Sequence, residues 1–227
     1  MINDLIEELC GARLTYNYMR IGGVAWDLPP GFRKKVARYL EHLEPCIHEI
    51  NDLLSYGKIY TERLGGVAVV SPAMAMSYGL VGPNLRASGL KHDLRKDRPY
   101  SVYGDFEFDV PVGHGEMGGV GDCWDRYMMR IWEIFESIKI PEGPVVAKVA
   151  RTFKPPAGDV HVRVEAARGD MSWYCVSDGS EYPYRVHVRT GSFAAISIIE
   201  ELSKGLMIAD LVAVIATFDI VAPEVDR

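Results

Sequence analysis

The sequence predicts an α+β fold, mainly a helical bundle carrying a small antiparallel β-sheet, and three observations lead there. Apolar residues recur at helical spacing in long stretches before residue 140 and again near the end. Between about 158 and 190 the apolar period falls to two, as in half-buried strands. Glycine and proline crowd the stretch from Leu64 to Gly121, which predicts short elements joined by ordered turns. With 227 residues, 48% hydrophobic and 25% charged, the chain is long enough to bury a sizeable core as one domain or two small ones, and it is read as one: a helical part over 1–140, a sheet at about 158–190, and helices with a tail over 191–227.

The first helix is expected from Ile2 to about Tyr18, on the spacing of Ile2, Leu5, Ile6, Leu9 and Leu14, with Asn3 and Asp4 as available caps. After Gly22-Gly23 and Pro29-Pro30, a long amphipathic helix is predicted over Phe32 to Tyr56, its stripe formed by Val36, Tyr39, Leu40, Leu43, Ile47, Ile50 and Leu54. Pro45 should kink or interrupt it, because proline lacks the N–H that the helix interior uses. In the glycine-rich middle, Ser71-Pro72 reads as the cap and first position of a short helix through Tyr78, and Glu107 to Val112 alternates like a strand. A further helix is expected from Asp122 to about Ile138, burying Tyr127, Ile131, Ile134, Phe135 and Ile138.

Val160, Val162 and Val164 alternate with His161 and Arg163, Trp173 to Val176 makes a second run, and Tyr184 to Val188 a third, with Ser177-Asp178-Gly179-Ser180 as the turn between the last two. Two helices then close the chain, Phe193 to about Ser203 and Ile208 to about Thr217, the latter apolar enough to be expected inside. A polar tail ends in Glu224-Val225-Asp226-Arg227.

Composition narrows the function. The net charge of −6 and the lack of any long lysine or arginine block argue against a nucleic-acid partner. No window reaches the roughly 20 apolar residues of a spanning helix, and the start is acidic rather than a basic, apolar leader, so neither self-insertion nor export is expected. The four cysteines, Cys10, Cys46, Cys123 and Cys175, lie far apart without CxxC spacing and read as reduced, mostly buried thiols, with no metal site and no disulfide framework.

Generic catalytic signatures are absent: there is no GxSxG elbow, no GxxxxGK[ST] loop and no HExxH pair, and the glycines from Gly113 to Gly119 have the wrong spacing for a dinucleotide loop, so no residue of this chain is assigned a catalytic role. None of the six histidines pairs at ligand spacing on one helix, and His161 and His187 are expected at opposite ends of a hairpin. Charge pairs are plentiful: Arg86 with Asp93, Arg95 with Asp97, Glu165 with Arg168, Asp178 with Arg185, and Asp226 beside Arg227. Most such pairs are solvated surface features. Arg86, in the turn-rich run Arg86-Ala87-Ser88-Gly89, stands apart because a rigid turn can aim a guanidinium at another chain's carboxylate.

Several blocks carry a family likeness. Tyr18-Met19-Arg20-Ile21-Gly22-Gly23-Val24 resembles the YxRxGGV signature of the D-type, or 49-kilodalton, subunit of NADH-quinone oxidoreductase, respiratory complex I. In the same order follow Glu62 to Val67, Gly82 to Gly89, Asp93-Leu94-Arg95-Lys96, Pro99-Tyr100, Arg163 to Ala166 with Arg168-Gly169, Val176 to Ser180, Pro183-Tyr184-Arg185 and the terminal Glu-Val-Asp-Arg. The likeness covers almost the whole chain and corresponds to the C-terminal part of that subunit.

The resemblance implies a fold similar to the nickel-iron hydrogenase large subunit, with the nickel-binding cysteines lost and the N-terminal part missing. It implies a membrane-associated complex in which this chain helps to wall a quinone pocket beside the subunit bearing the terminal iron–sulfur cluster. By the same resemblance Asp219, Val221 and Arg227 line or support that pocket, and Arg20, Arg86, Arg95, Asp178 and Arg185 serve subunit interfaces. Quinone is then the substrate, and NADH and the iron–sulfur clusters belong to partner subunits, none being bound by this chain. The implied partners are the cluster-bearing B-type subunit, the C-type subunit and a separate N-terminal D-like chain, peripheral to the cytoplasmic side of the cell membrane. The alternative is a catalytically silent assembly or scaffold protein, or a truncated fragment of the family.

Three departures are visible. Thr15 follows Gly11-Ala12-Arg13-Leu14 where the family has a histidine soon after the GxR turn, the chain is shorter between Ile140 and Pro144, and Ala222-Pro223 replaces a bulky residue and glycine.

Overall fold

The structure is a computed structural model, and it describes residues 1–20, 23–139 and 154–226. Helix α1 (Ile2–Cys10) stops well short of Tyr18, because Gly11 takes the left-handed conformation at φ 76° and returns its N–H to the Glu7 carbonyl. Neither Asn3 nor Asp4 caps it: the helix opens directly on Met1, and Asp4 instead meets the terminal amine at 3.0 Å and Arg13 at 2.9 Å. The segment that follows makes a two-rung ladder, β1 (Met19–Arg20) with β2 (Gly23–Val24), in which Arg20 lies opposite Gly23.

Helix α2 (Phe32–Ile50) carries the predicted stripe as far as the buried Ile47. Pro45 does not interrupt it. Residues 41 and 45 are both exposed, so water is at hand for the carbonyl that loses its donor. A widened π turn over Asn51–Ser55 follows, leaving Ile50 and Leu54 exposed, and helix α3 (Lys58–Leu64) leads into the glycine-rich region.

That region is ordered by short helices: α4 (Pro72–Ser77), α5 (Gly82–Ala87) and α6 (Leu94–Asp97). Ser71 caps α4 as its sequence predicts, its side chain accepting from the Met74 N–H at 3.2 Å. Ser71→Ala is expected to lower stability by about 1 kcal/mol, read as a lower denaturant midpoint; an unchanged midpoint would make the cap dispensable. Glu107 to Val112 forms no strand. Its alternation is one of burial, with Phe108 and Val110 inside and Glu107 and Asp109 outside, while its backbone is answered by a side chain, the Asp109 N–H donating to Glu136 at 2.8 Å.

Helix α7 (Cys123–Ile138) is the axis of the core. Its deeply buried residues are not the predicted apolar face but the first two turns, Cys123, Trp124, Asp125, Arg126, Met128 and Met129, whereas Tyr127, Ile131, Ile134 and Phe135 are half-buried. The reason is the glycine loop wrapped around the helix start. Asp122 accepts from Gly66 at 2.7 Å, Gly119 at 3.1 Å and the Asp125 N–H at 2.8 Å, and Asp125 accepts from Gly115 at 3.0 Å and Gly121 at 3.1 Å. Trp124, wholly buried, donates to the Ser55 carbonyl at 3.1 Å and packs with Leu80, Met128, Val214 and Phe218. Of the cysteines only Cys123 is buried; Cys10, Cys46 and Cys175 are partly exposed, and all four are free thiols.

The predicted antiparallel sheet is present, with order β3-β4-β5: β3 (Gly158–Ala166), β4 (Gly169–Ser177) and β5 (Arg185–Arg189). His161 and His187 are not at opposite ends of it: they flank Tyr174 on one rung. The sheet turns its polar face inward. Asp170 and Ser172 are 3% and 8% exposed, whereas Val160, Val162, Trp173 and Val186, on the other face, are 43–54% exposed. The sheet is joined to the body where Gly169 meets Gly82, a Cβ on Gly169 falling 2.4 Å from the Gly82 nitrogen, at φ 107°.

The C-terminal region contains α8 (Gly191–Ser197), α9 (Ile199–Leu202), α10 (Ile208–Phe218) and α11 (Ala222–Val225). Helix α10 is not fully buried: Val214 and Phe218 enter the core while Ile208, Val212 and Ile215 face outward. No helix among the described residues is long and apolar enough to cross a membrane.

Candidate functional site

Helix α10 ends at Phe218, and the next residue, Asp219, adopts the left-handed conformation at φ 52°, ψ 52°. A non-glycine residue there costs roughly 1 kcal/mol, so it needs partners. Arg168, in the tight turn between β3 and β4, supplies two: its Nε donates to the Asp219 carbonyl oxygen at 3.0 Å and its other nitrogen to the carboxylate Oδ1 at 3.3 Å. Asn84 on α5 donates to the preceding Phe218 carbonyl at 3.1 Å, and Arg130 on α7 brings its Nε to 3.9 Å from Asp219 Oδ2. Val221 is half-buried just beyond, its N–H donating to Ser192 Oγ at 3.4 Å. Ser192 in turn donates to Glu224 at 2.5 Å, and Thr190 donates to the Glu224 carbonyl at 3.0 Å, so α8 fixes α11 behind the site. Arg227 lies outside the described residues.

Beside Asp219 opens a cavity of about 340 Å³ lined by Arg86, Arg95, Arg130, Glu133, Glu165 and Asp219. Its inner end is an ionic cluster. Arg86, 2% exposed, donates to Glu133 Oε1 at 2.7 Å, Glu165 Oε1 at 3.0 Å and the His92 carbonyl at 2.9 Å, with Asp93 at 3.6 Å. Arg95 closes on Asp93 through 3.0 and 2.6 Å bonds. Burial would raise the Asp93 carboxyl, but the hydrogen bonds and charge of Arg95, helped by Arg86, hold it below the usual range. At Glu133 burial prevails over the pull of Arg86 and its carboxyl is raised. Burial likewise lowers the Arg130 guanidinium, opposed first by Asp219 and then by Glu133.

The predicted residues therefore fall into distinct places. Asp219 lines the cavity, whereas Val221, two residues on, is half-buried and does not line it. Arg86 and Arg95, expected at subunit interfaces, spend their guanidinium groups on carboxylates of their own chain, Arg86 with no surface left to offer. Arg20, Asp178 and Arg185 are exposed, Asp178 accepting from the Ser180 N–H at 2.9 Å rather than meeting Arg185. Arg95 pairs with Asp93 instead of Asp97, and Glu165 and Arg168 diverge, to Arg86 and Asp219 respectively. Not foreseen were Asn84, Arg130 and Glu133; the signal available was charge at helical spacing, Arg126, Arg130 and Glu133, on a helix expected to be core.

Among the described residues no three histidine, cysteine, aspartate or glutamate side chains converge as a metal would require. A second, more open cavity of about 620 Å³ lies on the polar face of the sheet beside His92, His161 and His187; its arginines, Arg163 and Arg189, are both engaged by Asp170.

A family model described as "Respiratory-chain NADH dehydrogenase, 49 Kd subunit" matches residues 1–145 and 144–227. A D-type subunit of NADH-quinone oxidoreductase from Anaeromyxobacter dehalogenans is 55% identical over 234 residues, covering all of this chain and 62% of the relative. The corresponding D-type protein of Sorangium cellulosum is 52% identical, with all of this chain and 61% of the relative covered, and that of Carboxydothermus hydrogenoformans is 47% identical, with all of this chain and 63% covered. The chain thus spans about three fifths of the length of the curated relatives it matches. With matches that run along its entire length, the chain belongs to the family of the 49-kilodalton subunit of respiratory-chain NADH dehydrogenase.

Proposed function

We propose that this chain is part of a membrane-associated NADH-quinone oxidoreductase, where it forms a wall of the quinone pocket next to the subunit carrying the terminal iron–sulfur cluster. NADH and the clusters belong to partner subunits, among them the cluster-bearing B-type and the C-type, and the assembly lies peripherally on the cytoplasmic side of the cell membrane. Arg20, Asp178 and Arg185, being exposed, are the residues available for contacts with those partners. The observation that carries the reading is Asp219, set in a left-handed cap by Arg168 and lining a cavity rich in charged groups.

Each group has work to do there. Val221 gives apolar wall against a quinone ring. The carboxylate of Asp219 accepts a hydrogen bond from a hydroxyl forming on the headgroup, while the guanidinium of Arg168 balances negative charge that develops as electrons arrive. Arg227 belongs to the same proposal through its place in the terminal block.

Asp219→Asn in the assembled complex tests this. Quinone reduction is expected to fall about tenfold or more while NADH still reduces the iron–sulfur clusters. Quinone kinetics identical to the parent would sink the assignment.

A further inference from the structure

Asp219 is met by two arginines that are placed in different ways. Arg168 reaches it from a turn and bonds its main chain as well as its carboxylate. Arg130 reaches it from α7, the axis of the core, and is itself pinned: one terminal nitrogen donates to the Arg126 carbonyl and the other to Asn84 Oδ1 at 3.2 Å, which leaves Nε facing Asp219 Oδ2 across 3.9 Å. That separation is too long for a direct hydrogen bond, so Arg130 lends charge to the carboxylate without occupying an acceptor position on it. Asn84 is 6% exposed and serves both ends of the arrangement, holding Arg130 through its oxygen and the Phe218 carbonyl through its nitrogen.

We infer that Arg130, set by Asn84, is a positioning residue that keeps the Asp219 carboxylate at the cavity mouth and free to accept a hydrogen bond from a quinone headgroup. The inference rests on the quinone-pocket reading. A left-handed aspartate relaxes readily if its surroundings loosen, because its own backbone preference opposes the conformation. Arg168 alone anchors the carbonyl but comes from a turn, whereas Arg130 meets the carboxylate from a long helix whose first turns lie in the core.

The test is steady-state kinetics of the complete complex in its membranes with a short-chain quinone, comparing Arg130→Met, Arg130→Lys, Asn84→Ala, Asp219→Asn and the Arg130→Met, Asp219→Asn double variant. Arg130→Met is expected to raise KM for quinone about tenfold with a smaller change in kcat, Arg130→Lys to recover most of that, and Asn84→Ala to raise KM about threefold. Adding Arg130→Met to Asp219→Asn is expected to change little, since the carboxylate it positions is already neutral. Multiplying effects in the double variant, or an unchanged KM in Arg130→Met beside a raised one in Asp219→Asn, would overturn the inference. Unchanged kcat and KM in Asp219→Asn itself would overturn the quinone reading and this role with it. Should Arg130→Met fail to assemble, Arg130→Lys and Asn84→Ala carry the test, and parental KM values in both would refute it.

Discussion

Arg86→Met is expected to destabilise the chain by about 3–5 kcal/mol, because it takes their shared guanidinium from Glu165 and Glu133 and leaves Asp93 with Arg95 alone. The loss exceeds what removal of an exposed pair would produce, since Arg86 and Glu165 are 2% and 3% exposed at the side chain. Lysine is no substitute: Arg86 reaches Glu133, Glu165 and the His92 carbonyl from three nitrogens of one planar group, which a single ammonium cannot do. Denaturant unfolding at neutral pH measures the effect, and a difference under about 1 kcal/mol would show that the cluster is dispensable. The sign with pH is fixed. Burial already raises the Glu133 carboxyl with Arg86 present, and without the cation the folded state favours the protonated acid more strongly still. A carboxyl whose folded value lies above its unfolded value adds stability at low pH and loses it as pH rises through that folded value. The Arg86→Met deficit should therefore shrink as the solution is made more acidic.

The second large effect is expected at Gly169→Ala, at about 4 kcal/mol, from two causes that add. At φ 107° an L-residue is strained whatever space it has, and here the added carbon meets Gly82 nitrogen at 2.4 Å, Gly82 Cα at 2.6 Å and the Val81 carbonyl carbon at 2.7 Å. All three are backbone atoms, so no side chain can swing aside. Relief requires α5 and the first residue of β4 to separate, which also disturbs Arg168, one residue before the contact, and through it Asp219. Amide exchange across β4, compared between parent and variant, should show faster opening of the sheet. Unaltered protection would mean that the two segments part without cost.

Periodicity and caps made much of the fold legible. Ser71 announced α4, apolar spacing announced α7, the valine alternation announced β3, and the Ser177-Asp178-Gly179-Ser180 turn fell where its chemistry placed it. What misled was alternation without a partner at Glu107 to Val112, and a run of apolar residues in α10 that turned out to have a wet side. Neither can be read locally, because strand pairing and burial depend on what else arrives. The depth of α7 was also hidden: nothing in Asp125 or Arg126 says that loops from residues 66, 115, 119 and 121 will seal them from solvent. At the site, residue types alone gave no reason to select Asp219 or Val221. The family resemblance singled them out. The left-handed cap that distinguishes Asp219 depends on bonds from Asn84 to Phe218 and from Arg168 to Asp219, which span 134 and 51 positions of the chain.

In most half-buried sheets grease sets the alignment of the strands, since a one-residue slip would expose the apolar side chains. Here the slip would do the reverse, carrying Asp170, Ser172 and Glu165 out to water and turning Trp173, Cys175, Val160, Val162 and Val186 toward the body. Hydrophobic burial by itself would thus reward the misaligned hairpin. What holds β3 and β4 in step is ionic: Arg163 and Arg189 on Asp170, and Glu165 beneath Arg86. The alignment of this sheet is written in charge.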